Sequence, residues 1–270
     1  MPVPVGCSER AKECLRQAAV GAGLVEEETK EERLEFVSEL KAAAMFCLKT
    51  VKGSAFKEGD RFLICHSGAD TTSVAIFQVV DVLPHRYSNG LKRVKQVRQP
   101  SLGSSSSGTD FLEANMSRFL ERLLQPHPQY RQLHAPFWTQ ILEDFRIFIR
   151  STFAQMGGRA CLDLPPVMTV VEGTAGDSTT VNSVLDDNDE IGVERGSLII
   201  PMEVLEEEVF EPAVGEVLEL IQEQLEGLQM EGEVEEGGGG KECGAIFLIG
   251  EFGSLHFVKK RVTEEFLGWK

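Results

Sequence analysis

The stretch that most constrains this chain comes late in it. Ala245-Ile246-Phe247-Leu248-Ile249 is an unbroken apolar run between Gly244 and Gly250. A short run rich in strand-formers and bounded by glycines predicts a buried strand. Gly250-Glu251-Phe252-Gly253-Ser254 supplies the turn after it, with Ser254 placed to cap the next element. Leu255, Val258, Val262 and Phe266 then recur near helical spacing, and Lys259, Lys260 and Arg261 fall largely on the other side. Strand, glycine turn and helix in that order bring bare backbone and a helix N-terminus up to a nucleotide. The same pattern describes an ordinary strand-to-helix connection, so spacing alone leaves both readings open.

The 270 residues are 42% hydrophobic, enough for one large core or two modest ones. A formal net charge of -16 argues against nucleic acid and anionic membrane as partners. No apolar run reaches membrane-spanning length and Met1-Pro2-Val3-Pro4-Val5 has no signal-peptide pattern, so a cytoplasmic location is expected. Cys7, Cys14, Cys47, Cys65, Cys161 and Cys243 show no C-x-x-C spacing, and most lie in apolar segments. Reduced, packed thiols are expected, rather than disulfides or a zinc site.

Ser8 to Ala22 reads as a helix ended by Gly23, with a small-residue stripe of Ala11, Cys14, Leu15, Ala18, Ala19 and Ala22 that calls for a flat partner such as a sheet. Glu26 to Glu32 is a charged connection, and Leu34 to Val37 a short strand. Ser38 can cap a second helix through Leu48, with Glu39 at its positive end. Arg61 to Cys65 and Ser73 to Val80 are apolar runs around the small-residue turn His66 to Thr72, which predicts a hairpin. Tyr87 to Gly90 is a turn signal before a basic strand at Leu91 to Val97. Beyond the Ser/Gly linker Ser101 to Gly108, helical periods occupy Asp110 to Leu124, Phe137 to Phe153 and Pro201 to Leu228. Strand-and-turn material lies between the last two, and an acidic, glycine-rich insert comes after them at Met230 to Glu242.

Several stretches resemble, in order, the nucleotide-binding domain of the seventy-kilodalton heat-shock chaperones (heat-shock protein 70), and in particular the divergent branch of that actin-like ATPase family common in fungi. VSELKAAAMFCL, within Arg33 to Leu48, is similar to the family's E-P-x-A-A-A segment, with Leu40 in place of proline. LICHSGADTTSV, Leu63 to Val74, resembles the second phosphate-binding hairpin, D-x-G-G-G-T-x-D. Gly108-Thr109-Asp110-Phe111 resembles the G-x-D-F opening of the upper sublobe. Pro201 to Leu228 resembles the helix running back to the second lobe, and GEFGSLHF, Gly250 to Phe257, the adenosine-binding G-G-F-G-S-S-P-Y. The resemblance implies an α/β chain with the actin-like ATPase (ribonuclease H-like) fold, mainly its second lobe. Residues 1–52 would be a remnant of the first lobe, 53–100 with 241–270 the lower part of the second, and 101–240 its upper part. The first phosphate loop, the first lobe's main sheet with its catalytic lysine, and the peptide-binding domain have no counterpart.

In the family, hairpin glycines let backbone N–H groups approach the phosphates while acidic residues position magnesium and water. Here His66 and Ser73 stand at the two acidic positions, Gly68 and Thr71 are kept, and Ala69 and Asp70 replace glycines. A carboxylate at Asp70 would repel a polyphosphate. Glu39 is the catalytic candidate. On the adenosine side Gly250, Gly253 and Ser254 fit, while Glu251 replaces a glycine and His256 the proline. Arg150 sits where the family stacks a Lys-Arg pair on adenine, with Ile149 at the lysine position. It would either stack on the base or stand exposed at a helix end.

Other clusters carry less. His127, Tyr130 and His134 match no standard ligand spacing, and Asp186, Asp187, Asp189 and Glu190 read as a solvated turn rather than a calcium loop. His66, Ser67 and Asp70 are too close along one turn for triad geometry. The expectation is a degenerate heat-shock-70-like module, weak or inactive as an ATPase, with feeble ATP or ADP contact and magnesium only alongside nucleotide. Two alternatives stand beside it: an ATP-hydrolysing chaperone component completed by another chain, and a non-catalytic scaffold offering its first two helices to a protein client.

Overall fold

The hairpin is the centre of the computed structural model, which describes residues 1–29, 33–50, 56–82, 92–103, 107–127, 135–150, 158–164, 167–172, 178–183, 187–234 and 242–267. β3 (Arg61–Ser67) and β4 (Thr72–Val82) pair antiparallel from Ser67↔Thr72 to Arg61↔Gln78. β5 (Lys92–Gln96) and β6 (Ser101–Leu102) both pair with β4, at its far and near ends. On the other side β12 (Cys243–Ile249) joins β3 in parallel, Ile246 opposite Leu63 and Ile249 opposite His66. The order β12-β3-β4-β5 makes a mixed sheet, so the chain is α/β.

Successive side chains of these strands point to opposite faces, and both faces are apolar, so both must be covered. Phe62, Ile64, Ala75, Phe77, Val79 and Val94 pack with Leu40, Ala44, Cys47 and Leu48 of α2 (Glu39–Thr50). Phe62 lies at the centre of that layer, 6.1 Å from Phe77 and edge-on to Phe247 at 5.7 Å. α2 begins as its sequence predicts, with the Lys41 N–H donating to Ser38 Oγ at 3.2 Å. Leu63, Cys65, Val74 and Ile76 belong to the larger core on the opposite face.

That larger core is built mainly from helices. α3 (Thr109–Leu124) contributes Leu112, Met116, Phe119 and Leu120, and α4 (Ala135–Arg150) contributes Ile141, Phe145 and Ile149. Arg146 grips the Glu113 carboxylate with both arms, at 2.5 and 2.6 Å, and ties α4 to α3. A long helix, α5, runs as α-helix over Met202–Leu205, as one π turn over Glu206–Phe210, and as α-helix again over Glu211–Val234. α6 (His256–Phe266) lies against it, with Phe257 5.0 Å from Phe210 and Arg261 bound to Glu211 at 2.6 Å. β7 (Arg159–Asp163), β10 (Val193–Glu194) and β11 (Ser197–Pro201) form an antiparallel sheet whose inward residues Ala160, Leu162, Leu198 and Ile200 join the same core. β8 (Val167–Glu172) and β9 (Ser178–Ser183) pair only with each other among the described residues.

The first segment departs from its sequence reading. β1 (Pro2–Val3) and β2 (Val37–Ser38) pair in parallel, so the strand expected at Leu34 to Val37 is confined to the end of that stretch. α1 (Glu9–Gly21) starts at Ser8, whose Oγ accepts from the Ala11 N–H at 3.2 Å, and Gly23 comes after it at φ +69°. Its small-residue stripe meets no sheet along most of its length: Ala19 is buried, but Cys14, Ala18 and Ala22 are exposed. Small side chains bury too little area to force that contact once the large aromatic layer lies under α2 instead. The turn at Asn89-Gly90 and the glycines 237–240 lie outside the described residues. No helix among the described residues is long and apolar enough to cross a membrane.

Buried Asn115 ties α3 to the π turn: its Nδ2 donates to the Val209 carbonyl at 3.0 Å. Arg118 in turn donates to Asn115 Oδ1 at 2.8 Å. Replacing Asn115 by Ala removes the donor and leaves the carbonyl desolvated, which costs about 1–3 kcal/mol. Urea denaturation of N115A should show a lower midpoint with an unchanged m-value.

Candidate functional site

Because β3 and β12 run parallel, their C-terminal ends lie side by side, and the turns that leave them meet. Ligands in α/β sheets gather at such strand ends. Gly250 stands at φ +89°, and a Cβ there would lie 2.2 Å from the Ser67 carbonyl oxygen. The Gly253 N–H donates to that same carbonyl at 3.2 Å, and a Cβ on Gly253 would lie 2.5 Å from the Ile249 carbonyl oxygen. Both positions therefore exclude any side chain, for reasons of backbone packing alone.

The hairpin turn is closed from a second side by the start of α3. Gly108 sits at φ +117°, where a Cβ would meet the Ala69 carbonyl oxygen at 2.3 Å. The Thr109 N–H donates to the Gly68 carbonyl at 3.3 Å, and the Asp110 N–H to the Ala69 carbonyl at 2.8 Å. These are the first amides of a helix that has no side-chain cap. Such amides are an anion site when they face solvent. Here carbonyls of the hairpin take that place. Within the turn the Gly68 N–H donates to the Thr71 carbonyl at 3.0 Å, and the buried Ser67 and Thr72 hydroxyls bond at 2.5 Å.

Glu39, Gly68, Thr71, Gly250, Gly253 and Ser254 all lie at or beside these strand ends. Glu39, in the first turn of α2, places a carboxylate oxygen 3.6 Å from His66 Nδ1. That is too long for a good hydrogen bond, yet close enough to attract an imidazolium. Asp70 and Thr71 are exposed at the tip, with Thr71 Oγ1 3.4 Å from Asp70 Oδ1. Ser254 does not cap α6. Its hydroxyl donates to the Glu251 carbonyl at 2.8 Å and its N–H to the Gly250 carbonyl at 3.1 Å, so it closes the glycine turn, and Leu255 is the N-cap. Arg150 ends α4 and forms an ion pair with Glu251 of that turn. Ile149 beside it is buried in the core.

Among the described residues of the region, the side chains nearest the junction are largely buried or engaged. Burial pushes the Cys65 thiol up to about 12, so it stays protonated and unreactive at neutral pH. The Ser67 hydroxyl is committed to Thr72 rather than to His66. Among the described residues no group of three or more His, Cys, Asp or Glu is placed to hold a metal. All six cysteines are free; Cys47 and Cys65 are buried as expected, whereas Cys14 and Cys161 are exposed. In the acidic loop, Asp187 Oδ1 accepts from the Arg195 N–H at 2.6 Å and Asn188 Oδ1 from the Glu190 N–H at 3.1 Å, which are the bonds of a turn. Asp186, Tyr130 and His134 lie outside the described residues.

Sequence reasoning misses how Gly108 docks on the hairpin and how Glu251 meets Arg150. A glycine directly before a helix without a Ser, Thr or Asp cap is the available signal for the first. Opposite charges a hundred residues apart give none for the second. Compared with known proteins, the chain matches no family model and no curated protein.

The two classes of glycine separate on substitution. Gly250→Ala strains a left-handed backbone and collides with Ser67, and should cost about 3 kcal/mol or more. Gly68→Ala places its Cβ 3.8 Å from the Thr71 carbonyl, an ordinary contact, and should change stability by less than about 1 kcal/mol. Chemical denaturation of the two variants beside the parent measures the difference.

Proposed function

We propose that this chain is a degenerate nucleotide-binding module of the heat-shock-70, actin-like kind, retained as a scaffold and without effective ATP turnover. Under this reading residues 53–100 and 241–270 are the nucleotide-facing part of a second lobe, residues 101–240 its upper part, and residues 1–52 the remnant of a first lobe. The paired strand ends, the glycine turn and the hairpin supply the shape such a module needs.

The observation that carries the reading is the approach of Glu39 to His66. A carboxylate meant to orient magnesium-bound water needs metal-holding acids beside it. Its neighbour at 3.6 Å is an imidazole, which offers nitrogen where magnesium prefers oxygen ligands. Asp70 adds negative charge at the turn a triphosphate would approach. ATP or ADP would thus make feeble contact through Gly68, Thr71, Arg150, Gly250, Gly253 and Ser254, with magnesium accompanying only the nucleotide.

A second reading, a protein-interaction surface on the first two helices, is favoured by one observation. Phe46 of α2 is 67% exposed, and the stripe of α1 leaves Cys14, Ala18 and Ala22 open. The two readings are compatible, since a scaffold without turnover still needs something to hold. Both fit a cytoplasmic protein.

Calorimetric titration with ATP and magnesium should give a dissociation constant weaker than about 1 mM. Phosphate release should stay at the uncatalysed level. Micromolar binding, or turnover abolished by Glu39→Ala, would overturn the assignment.

A further inference from the structure

A groove of about 600 Å³ opens where α2 meets the edge of the mixed sheet. Lys41 and Met45 line it from the helix, Val80 from β4, and Arg93, Val94 and Lys95 from β5. Small-ligand sites run to roughly 300–1,000 Å³, so the volume suits one. β3 and β4 separate this edge from β12 and the glycine turn. The groove therefore stands apart from the strand ends, and what it binds does not depend on the nucleotide reading.

Its lining divides into two chemistries. Val94 is 8% exposed, whereas Met45 is 37% exposed, an unbranched and adaptable apolar side chain left open to the groove. The charged lining is of one sign. The chain has 43 acidic residues against 27 basic ones, yet no described residue that lines the groove is acidic. No ion pair joins Lys41 or Lys95 to a described residue. Lysines on an outermost strand guard it against pairing with another chain. That role accounts for Lys95, but not for Lys41, which comes from the facing helix, nor for the apolar side chains in the same groove.

We propose that the groove between α2 and β5 binds an amphipathic organic anion, its apolar body against Met45, Val80 and Val94 and its acidic head held by Lys41 and Lys95. An apolar chain gains by leaving water for the three apolar side chains. A negative head gains at the two lysines, whose flexible stems let the ammonium groups follow it. A neutral ligand forgoes the second gain. A polyanion forgoes the first, and a surface of net charge -16 repels it. A medium-chain carboxylate is the simplest molecule that collects both.

The test titrates octanoate into the full chain carrying methyl-labelled methionine and reads the Met45 methyl resonance, assigned by its loss in Met45→Leu. The signal should shift saturably, and neutral 1-octanol should bind about fivefold more weakly. Lys41→Glu and Lys95→Glu should each weaken octanoate about tenfold. Lys49→Glu alters the net charge equally from outside the groove and should leave affinity within about twofold, as should Phe46→Ser, which removes the neighbouring exposed aromatic. All four positions are exposed, so these variants keep the fold. An unmoved Met45 signal, or octanol binding as well as octanoate, would overturn the proposal. So would a loss in Lys49→Glu equal to that in Lys41→Glu, because the protein's overall charge would then be the cause. A Met45 shift that grows with protein concentration alone would give the groove to a second copy of the chain and overturn it equally.

Discussion

The packing around the mixed sheet turns on one backbone junction. The Ser67 carbonyl, at the end of β3, accepts from Gly253 and lies where a side chain on Gly250 would have to be. One turn further, the Gly68 and Ala69 carbonyls accept from the first amides of α3. Three segments far apart in sequence, the hairpin, the start of α3 and the turn after β12, are pinned at one point by main-chain contacts. The sheet, the two helices and the long connection between β4 and β12 are consistent with one another only if that junction forms. Its cost in sequence is three glycines, at 108, 250 and 253.

The use of these amides also explains the chemistry. Helix N-termini and glycine turns are valuable for binding because their N–H groups are unspent. In this chain several are spent on carbonyls of neighbouring turns, and polar side chains nearby face one another: Glu39 lies beside His66, and Arg150 pairs with Glu251. A site whose donors and charges are internally matched holds its shape well and offers little to a ligand. Stability and binding draw here on the same atoms.

How much of this is legible in the sequence depends on the range of the interaction. The hairpin, β12, α2 with its Ser38 cap and the core-facing stripes of α3 and α4 are all readable in advance, because local period and capping chemistry determine them. The helix at the beginning is readable too, but its burial is not: a stripe of alanines does not say whether a partner surface exists. Ser254 misleads for a related reason. A serine near a helix start can cap the helix or close the preceding turn, and the choice is made by Gly250, whose carbonyl accepts the Ser254 N–H. Long-range pairings such as Asn115 with Val209 leave no local trace, since a buried amide in a helical stripe looks like any other polar residue until the π turn opposite it is known.

That π turn has a further consequence for how this fold tolerates change. One additional residue in a helical turn rotates everything on one side of it by about 100° relative to the other. Met202 and Leu205 ahead of it and Val214, Val217 and Ile221 behind it all reach the core only because of this phase offset. Forcing the full sequence into regular α-helix would put its two halves out of phase and swing one half's apolar stripe toward solvent. Deleting one residue from Glu206–Phe210 would instead give a regular helix with both stripes still aligned. The π turn is thus the place in this helix where a one-residue change of length leaves both apolar stripes facing the core.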